Sequence, residues 1–340
     1  MRCLKIYIVT LTIIASVSCV GSFPNLETTE LESIERVQYQ MGTYARVQIY
    51  GGNNEDVDAA FAKIKELDNL LSDYNPNSEI SEINKMAGVR PVNVDPQVIQ
   101  VLEIAKRVAS QTDGVFDPTI GVLTIGVYRF GRESSIEPNL GDIDKAKSLV
   151  NYKDLIIKGE NVYLKNKGMM IDLGGIGKGY AVEQAASVLK ARGVKSGVVS
   201  LSGDIKVFGN EAEVAITNPE KQRAIATFTT GSEDLAISTS GSYERFVNID
   251  GDVYHHLIVP ESGRPGSDFL SLTVVMQDSS TLADAYATAL FIMGQDNALE
   301  FLDNHREIGV FIVFPDKNIY YNAAFAKLVS NLKIEESHSK

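Results

Sequence analysis

Residues 271–294 read Ser271-Leu-Thr-Val-Val-Met-Gln-Asp-Ser-Ser-Thr-Leu-Ala-Asp-Ala-Tyr-Ala-Thr-Ala-Leu-Phe-Ile-Met-Gly294. Ser271–Met276 has the β-branched content of a strand, Thr281–Met293 is a strong helix, and Gly294 stops it. Around this helix the C-terminal half predicts only short strands: Gly197–Ser200, Ile205–Phe208, Ala224–Thr229, Val253–Val259 and Gly309–Phe314. Such an order lacks the regular βαβα alternation of a doubly wound parallel sheet. The expected fold class is therefore α+β, with largely antiparallel sheets packed with helices.

Towards the N-terminus, Tyr44–Tyr50 alternates as a half-buried strand, and Asp56–Asp73 places Val57, Phe61, Ile64, Leu67 and Leu71 at helical spacing. A second helix is expected from Pro96 to Gln111, with Val98, Val101, Leu102, Ala105 and Val108 inside. Leu155–Ile157 and Val162–Leu164 flank a hairpin turn at Lys158–Asn161. Met169–Ile171 runs as an apolar strand into a glycine segment, and Tyr180–Ala191 is a helix ended by Gly193. The chain contains no internal repeat and no low-complexity segment. Its 340 residues, 44% of them hydrophobic, suffice for two intimately associated lobes.

Residues 1–18 carry Arg2 and Lys5 ahead of an apolar run from Ile6 to Ala15, the layout of a secretory signal and too short a run for a membrane span. Cys19 at the cleavage point marks the lipoprotein type of signal, plain secretion being the other reading, and places the protein on the periplasmic side of a bacterial envelope membrane. Residues 19–34 read as a tether, 35–334 as the functional domain and 335–340 as a frayed tail. Loss of Arg2 and Lys5 leaves 30 of the 32 basic residues against 44 acidic ones, which speaks against nucleic acid as a partner. With Cys3 removed and Cys19 lipidated, the mature body has no thiol for a disulfide, a nucleophile or a zinc site.

On the helix at 281–293, Asp284 and Thr288 stand one turn apart on one face, two hard oxygen donors suited to Mg²⁺. The plainer role for Asp284 is a favourable first-turn charge behind the cap region Ser279-Ser280-Thr281. Leu282, Ala283, Ala285, Ala287, Ala289 and Leu290 would bury it, however, and a buried charge needs a partner such as a metal.

The segment Asp172-Leu-Gly-Gly-Ile-Gly-Lys-Gly-Tyr180 fits neither phosphate-binding template. Asp172 and Gly179 break the Walker pattern, and the third glycine comes one residue early for a dinucleotide turn. Bare amides, a helix N-terminus and Lys178 serve an anion site or a tight packing turn equally well. Asp172 either caps that turn or accepts from the ring N–H of a ligand.

Only His255, His256, His305 and His338 occur. The adjacent pair on one strand points to opposite faces, so one of the two can enter a site. His256 is chosen because Tyr254, Leu257 and Pro260 suggest a strand end opening into the loop Glu261–Arg264; a purely structural histidine is the alternative. Ser238-Thr-Ser-Gly-Ser-Tyr-Glu-Arg245 is a hydroxyl-rich turn, and Tyr74 offers a ring for stacking or lies on the surface.

Taken in order, Met41-Gly42-Thr43, Tyr74, Asp113-Gly114 with Phe116-Asp117-Pro118, Asp172–Tyr180, Thr239–Arg245, Tyr254-His-His256 and Asp284–Thr288 resemble the ApbE-type flavin transferases. That family cleaves FAD and attaches FMN through a phosphoester bond to a Thr or Ser of target flavoproteins, releasing AMP. The resemblance implies FAD contacts at Met41, Tyr74, Val115, Phe116, Asp117, Asp172, Lys178 and Leu257. It implies Mg²⁺ held by the Gly175 carbonyl, Asp284 and Thr288, with His256 as catalytic base, and as acceptors the flavoprotein subunits of membrane redox complexes. Val259 stands where the family usually has Asp before Pro260, and Ser202 replaces a Gly before Gly203-Asp204. The alternatives are an Mg²⁺-dependent FAD pyrophosphatase giving FMN and AMP, and a non-catalytic FAD-binding lipoprotein.

Overall fold

Val198 and Val199 are both buried yet belong to different hydrophobic cores, as neighbours do on a strand covered on both faces. The computed structural model describes residues 33–131, 140–218, 223–231, 233–243, 246–249 and 252–335. The signal segment 1–18, Cys19, the tether up to residue 32, Glu244, Arg245 and the tail from 336 onward lie outside the described residues.

Eight strands form the central sheet: β1 (Ser33–Gln40), β2 (Thr43–Tyr50), β3 (Ser196–Leu201), β4 (Asp204–Phe208), β5 (Leu235–Gly241), β6 (Ser271–Gln277), β7 (Gly309–Val313) and β8 (Ile319–Tyr321). They lie side by side in chain order, and every neighbouring pair is antiparallel. The principal helices are α1 (Asn54–Leu71), α2 (Pro96–Gln111), α3 (Gly177–Ala191) and α4 (Ser280–Met293). Helices α1, α3 and α4 pack on one face of the sheet, over Val47, Ile49, Val199, Leu201, Leu272 and Val274. A three-stranded sheet of Glu213–Thr217, Ala224–Thr230 and Val329–Ile334 covers the other face through Val198, Val207, Phe228 and Phe311. Burial on both sides explains why β3 and β7 are buried along their whole length, with the polar face of a one-sided strand missing.

Local chemistry sets the helix ends. Asn53 and Asp56 form a reciprocal capping box on α1, and Asp95 caps α2 with Pro96 in its first turn. The apolar positions expected inside both helices are buried. Ser279 Oγ accepts from the Leu282 N–H at 3.2 Å to start α4, and Gly294, with φ +80°, ends it.

The second lobe is inserted between α1 and α3. It holds a small sheet of Val92–Asn93, Asn161–Leu164 and Leu155–Lys158, the expected hairpin among them, together with a π-helix at Val122–Val127 and a helix at Leu140–Lys147.

The structure departs from the sequence expectations in several places. The strand expected over Val253–Val259 is two strands, Asp252–His255 and Ile258–Val259, paired to different partners and broken at His256-Leu257. Met169–Ile171 forms only an isolated parallel bridge from Met170 to Ile120, because the Ile171 amide and carbonyl bond the Asn84 side chain at 2.6 and 2.9 Å. Helix α3 starts at Gly177, three residues before the expected Tyr180. Strand β1 begins at Ser33 within the expected tether, and Glu335, expected to open the tail, donates its amide to the Ile225 carbonyl at 2.9 Å. Helices at Glu79–Lys85, Gln295–Asn304 and Ala323–Leu328 were not legible as such.

Candidate active site

The glycine segment leaves the second lobe and enters α3. The Asp172 amide bonds the Pro118 carbonyl at 2.9 Å, and its carboxylate accepts from the Gly174 N–H at 2.7 Å and from Thr124 Oγ1 at 2.5 Å. Asp172 therefore caps the turn. Thr124 sits on the π-helix, a wide turn of the kind that recurs at functional sites.

Asp284, 2% exposed, faces this turn from α4. Its Oδ2 accepts the Gly179 N–H at 2.9 Å, one of the first-turn donors of α3 that have no partner within the helix. The approach is close because Gly179 has no side chain. A Cβ there would lie 2.2 Å from the Ser280 carbonyl oxygen and 2.6 Å from Asp284 Cβ. A Cβ on Gly175 would likewise lie 2.8 Å from Thr288 Oγ1. The structure thus brings Gly175, Asp284 and Thr288 to one place, two of them offering side-chain oxygens one helical turn apart. Among the described residues no group of three or more His, Cys, Asp or Glu is placed to hold a metal, so a cation here would rest on mixed oxygen donors. A carboxylate, a hydroxyl and a backbone carbonyl are hard ligands of the kind that Mg²⁺ takes.

Lys178 forms an ion pair with Asp204 and lies 4.0 Å from Asp284 Oδ1. Asp204 begins β4, is 1% exposed, and accepts from Ser238 Oγ on β5 at 2.5 Å. Ser202, in the turn before it, has φ +54°, the left-handed region where glycine costs least. That backbone demand accounts for glycine as the usual residue there.

The two histidines separate. His255 is buried, its ring edge-on to Phe291 of α4 at 5.7 Å. Its Nε2 bonds the Gly266 carbonyl at 2.6 Å and its Nδ1 accepts the Leu257 N–H at 3.3 Å, which makes it the neutral Nε2–H tautomer. Burial pulls its pKa below the ordinary value. His256 is half-buried, at the break between the two short strands. Val259 is half-buried and packs against the main core.

Of the other candidate residues, Met41 has φ +50° in the β1–β2 turn and donates its amide to Asp68 Oδ2 on α1 at 3.2 Å. Tyr74 exposes nearly half its surface and donates its hydroxyl to the Phe130 carbonyl at 3.0 Å. Val115 is half-buried and Phe116 buried beyond the end of α2, and Leu257 is buried. The Asp117 carboxylate accepts from the Thr119 amide and hydroxyl at 2.8 and 2.6 Å and from the Tyr152 amide at 2.7 Å. Burial nonetheless raises its pKa. That carboxylate staples a loop, which leaves backbone as what residues 115–117 can offer a ligand.

Comparison with known proteins fits this geometry. The model of the ApbE family matches residues 41–312, most of the chain and every residue just described. The chain belongs to the ApbE family. An FAD:protein FMN transferase of Treponema pallidum is 26% identical over 319 residues, covering 86% of this chain and 88% of the relative. One of Escherichia coli K12 is 29% identical over 280 residues, covering 76% and 78%. A crystal structure of an ApbE protein from Thermotoga maritima superposes with a TM-score of 0.81 at 26% identity, covering 87% of this chain and 99% of that one. The flavin transferase ApbE of Vibrio cholerae superposes with a TM-score of 0.77 at 25% identity, covering 88% and 99%.

In this ApbE chain, sequence reasoning gave no role to Thr124, Glu183 or Asp204, and it read Ser238, which lies in β5, as part of a turn. Glu183 Oε2 accepts from Ser279 Oγ at 2.9 Å, Thr281 N at 3.0 Å and Thr281 Oγ1 at 2.8 Å, clamping the start of α4. Its sequence signal was its place one turn after Gly179 on the same helical face. Asp204 was a charge heading an apolar strand, and Thr124 left no periodic mark at all.

Proposed function

We propose that this protein is an Mg²⁺-dependent FAD:protein FMN transferase, which attaches the FMN moiety of FAD to a Thr or Ser of a target flavoprotein and releases AMP. The observation that carries this reading is the packing of Gly175 against Thr288, with Asp284 one turn away, at the N-terminus of α3. Those residues would hold Mg²⁺, which when bound neutralises charge on the pyrophosphate, the main demand of phosphoryl transfer.

The chain's own groups do the rest. The N-terminus of α3 favours the anionic phosphates through its aligned peptide dipoles, and Lys178 adds positive charge beside them. Met41, Tyr74, the backbone of 115–117, Asp172 and Leu257 contact the remainder of FAD. A His256 ring nitrogen takes the proton as the acceptor oxygen bonds the FMN phosphorus and the bond to the AMP oxygen breaks. General-base catalysis of this kind contributes on the order of 10²–10⁴-fold in rate. His255 cannot substitute, since both its ring nitrogens are engaged by backbone. The lipoprotein signal adds that the protein works on the periplasmic side, anchored through Cys19, on flavoprotein subunits of membrane redox complexes.

Chromatography of flavin after incubation with FAD, Mg²⁺ and a Thr-containing acceptor tests the proposal. Protein-linked fluorescence and AMP are expected. FMN with AMP and no labelled acceptor marks a pyrophosphatase, and intact FAD a binding protein. Asp284→Ala should abolish cleavage; unchanged cleavage removes the cation assignment.

A further inference from the structure

His256 stands between two anchors that lie on different lobes. On one side, the ring of its neighbour His255 packs edge-on to Phe291 of α4 at 5.7 Å and bonds the Gly266 carbonyl at 2.6 Å, which ties this stretch to the main lobe. On the other, Ile258–Val259 pairs with Arg264–Pro265 in a short hairpin whose turn reaches the second lobe. There Tyr128, 0% exposed at the end of the π-helix, donates its hydroxyl to the Gly263 carbonyl at 2.7 Å. Gly263 has φ +68°, and a Cβ on it would lie 2.5 Å from Ile143 Cγ2, so the turn rests directly on the helix Leu140–Lys147. Ile258 shares a core with Tyr128 and Ile143.

We propose that Tyr128 is a positioning residue: by holding the 258–265 hairpin on the second lobe, it sets where the His256 ring stands against the acceptor oxygen. The proposal rests on the reading of His256 as the base. His256 and Leu257 belong to neither flanking strand, and the hairpin beyond them pairs two residues with two, one of which is Pro265 without an N–H. So short a ladder does not fix its own place; what it packs against does. The Tyr128 ring stacks on Phe130 at 5.2 Å and tilts against Tyr254 at 6.0 Å, so the ring is held and its hydroxyl is aimed. Misplacing a reacting group by about 1 Å costs on the order of 10²-fold in rate, so a small release of the hairpin reaches the chemistry. Of the implied FAD contacts only Leu257 lies on this stretch, so FAD binding depends little on it.

Tyr128→Phe removes the hydroxyl and keeps the ring stack. In the full-length chain, hydrogen exchange followed by mass spectrometry should run about fivefold or more faster over residues 254–267, as a local opening requires. The kcat, read as AMP release at saturating FAD, Mg²⁺ and Thr-containing acceptor, should fall about tenfold or more, with Kd for FAD within about threefold of wild type. A tyrosine that serves stability alone would lower the unfolding midpoint and leave kcat of the folded enzyme untouched. Unchanged exchange in the hairpin overturns the proposal, as does unchanged kcat, or a loss of FAD affinity as large as the loss of kcat. Should Tyr128→Phe not fold, Gly263→Ala displaces the same turn from Ile143: the same split between kcat and Kd supports the proposal, and unchanged kcat overturns it. Undiminished labelling in His256→Ala removes the base and this proposal with it, whereas labelling that needs His256 but not the Tyr128 hydroxyl overturns this proposal alone.

Discussion

Gly179 gives its backbone N–H to Asp284 Oδ2 at 2.9 Å, and this bond ties the first turn of α3 to α4 by satisfying a donor that has no partner within the helix. A methyl group at 179 would meet the backbone of α4 at 2.2 Å. Gly179→Ala must therefore part the helices, although alanine is the better helix former. Overpacking of this kind costs about 1–3 kcal/mol. Urea unfolding should show that loss, and Mg²⁺ titration should show weaker binding in the same variant. A more stable Gly179→Ala protein would mean that the helices do not touch there.

Glu183 makes the neighbouring contact one turn along, receiving three donors from Ser279 and Thr281 on a single oxygen. Glu183→Ala leaves those donors without their acceptor at the start of α4. A loss of about 2–4 kcal/mol is expected, from one charge-assisted hydrogen bond and the desolvation of the donors left behind. Denaturant unfolding measures it, and Glu183→Gln, which keeps an acceptor, should retain part of the stability.

His256→Ala should bind FAD with affinity close to that of wild type and fail to label an acceptor peptide. Equilibrium fluorescence of FAD and gel fluorescence of the acceptor separate the two effects. Undiminished labelling would remove His256 from the mechanism.

His255 predicts a pH dependence of stability. Its folded pKa lies below the ordinary value of 6.5 because burial opposes the charged ring. Below that value the unfolded chain binds the proton and the folded chain resists it, so the contribution of this residue is fully present above pH 6.5 and lost as pH falls. The difference in unfolding free energy between wild type and His255→Gln should shrink from pH 7.5 towards pH 5. A difference that grows on acidification would contradict the neutral, buried tautomer.

Much of this protein could be read from the chain alone. The apolar spacing of Val57, Phe61, Ile64, Leu67 and Leu71 fixed α1, because helical periodicity is a local property and each of these side chains is buried. The spacing of Asp284 and Thr288 likewise fixed that both stand on one face of α4. Short strands without βαβα alternation excluded a doubly wound sheet, and the antiparallel meander follows that order. Tertiary structure alone decided what those side chains meet. Gly175 and Gly179 lie more than a hundred residues from α4, and only helix packing shows that their missing side chains admit Thr288 and the α4 backbone. Asp204, Ser238 and Lys178 come from a strand, its neighbour and a helix start, so no spacing in the chain announces their contact. The broken strand at His256 has the same cause: propensity favoured a continuous strand, but pairing to two different partners ended it. Sequence sets local conformation through periodicity and backbone preference, whereas the site is made of contacts between segments far apart in the chain, which exist only once the cores have packed.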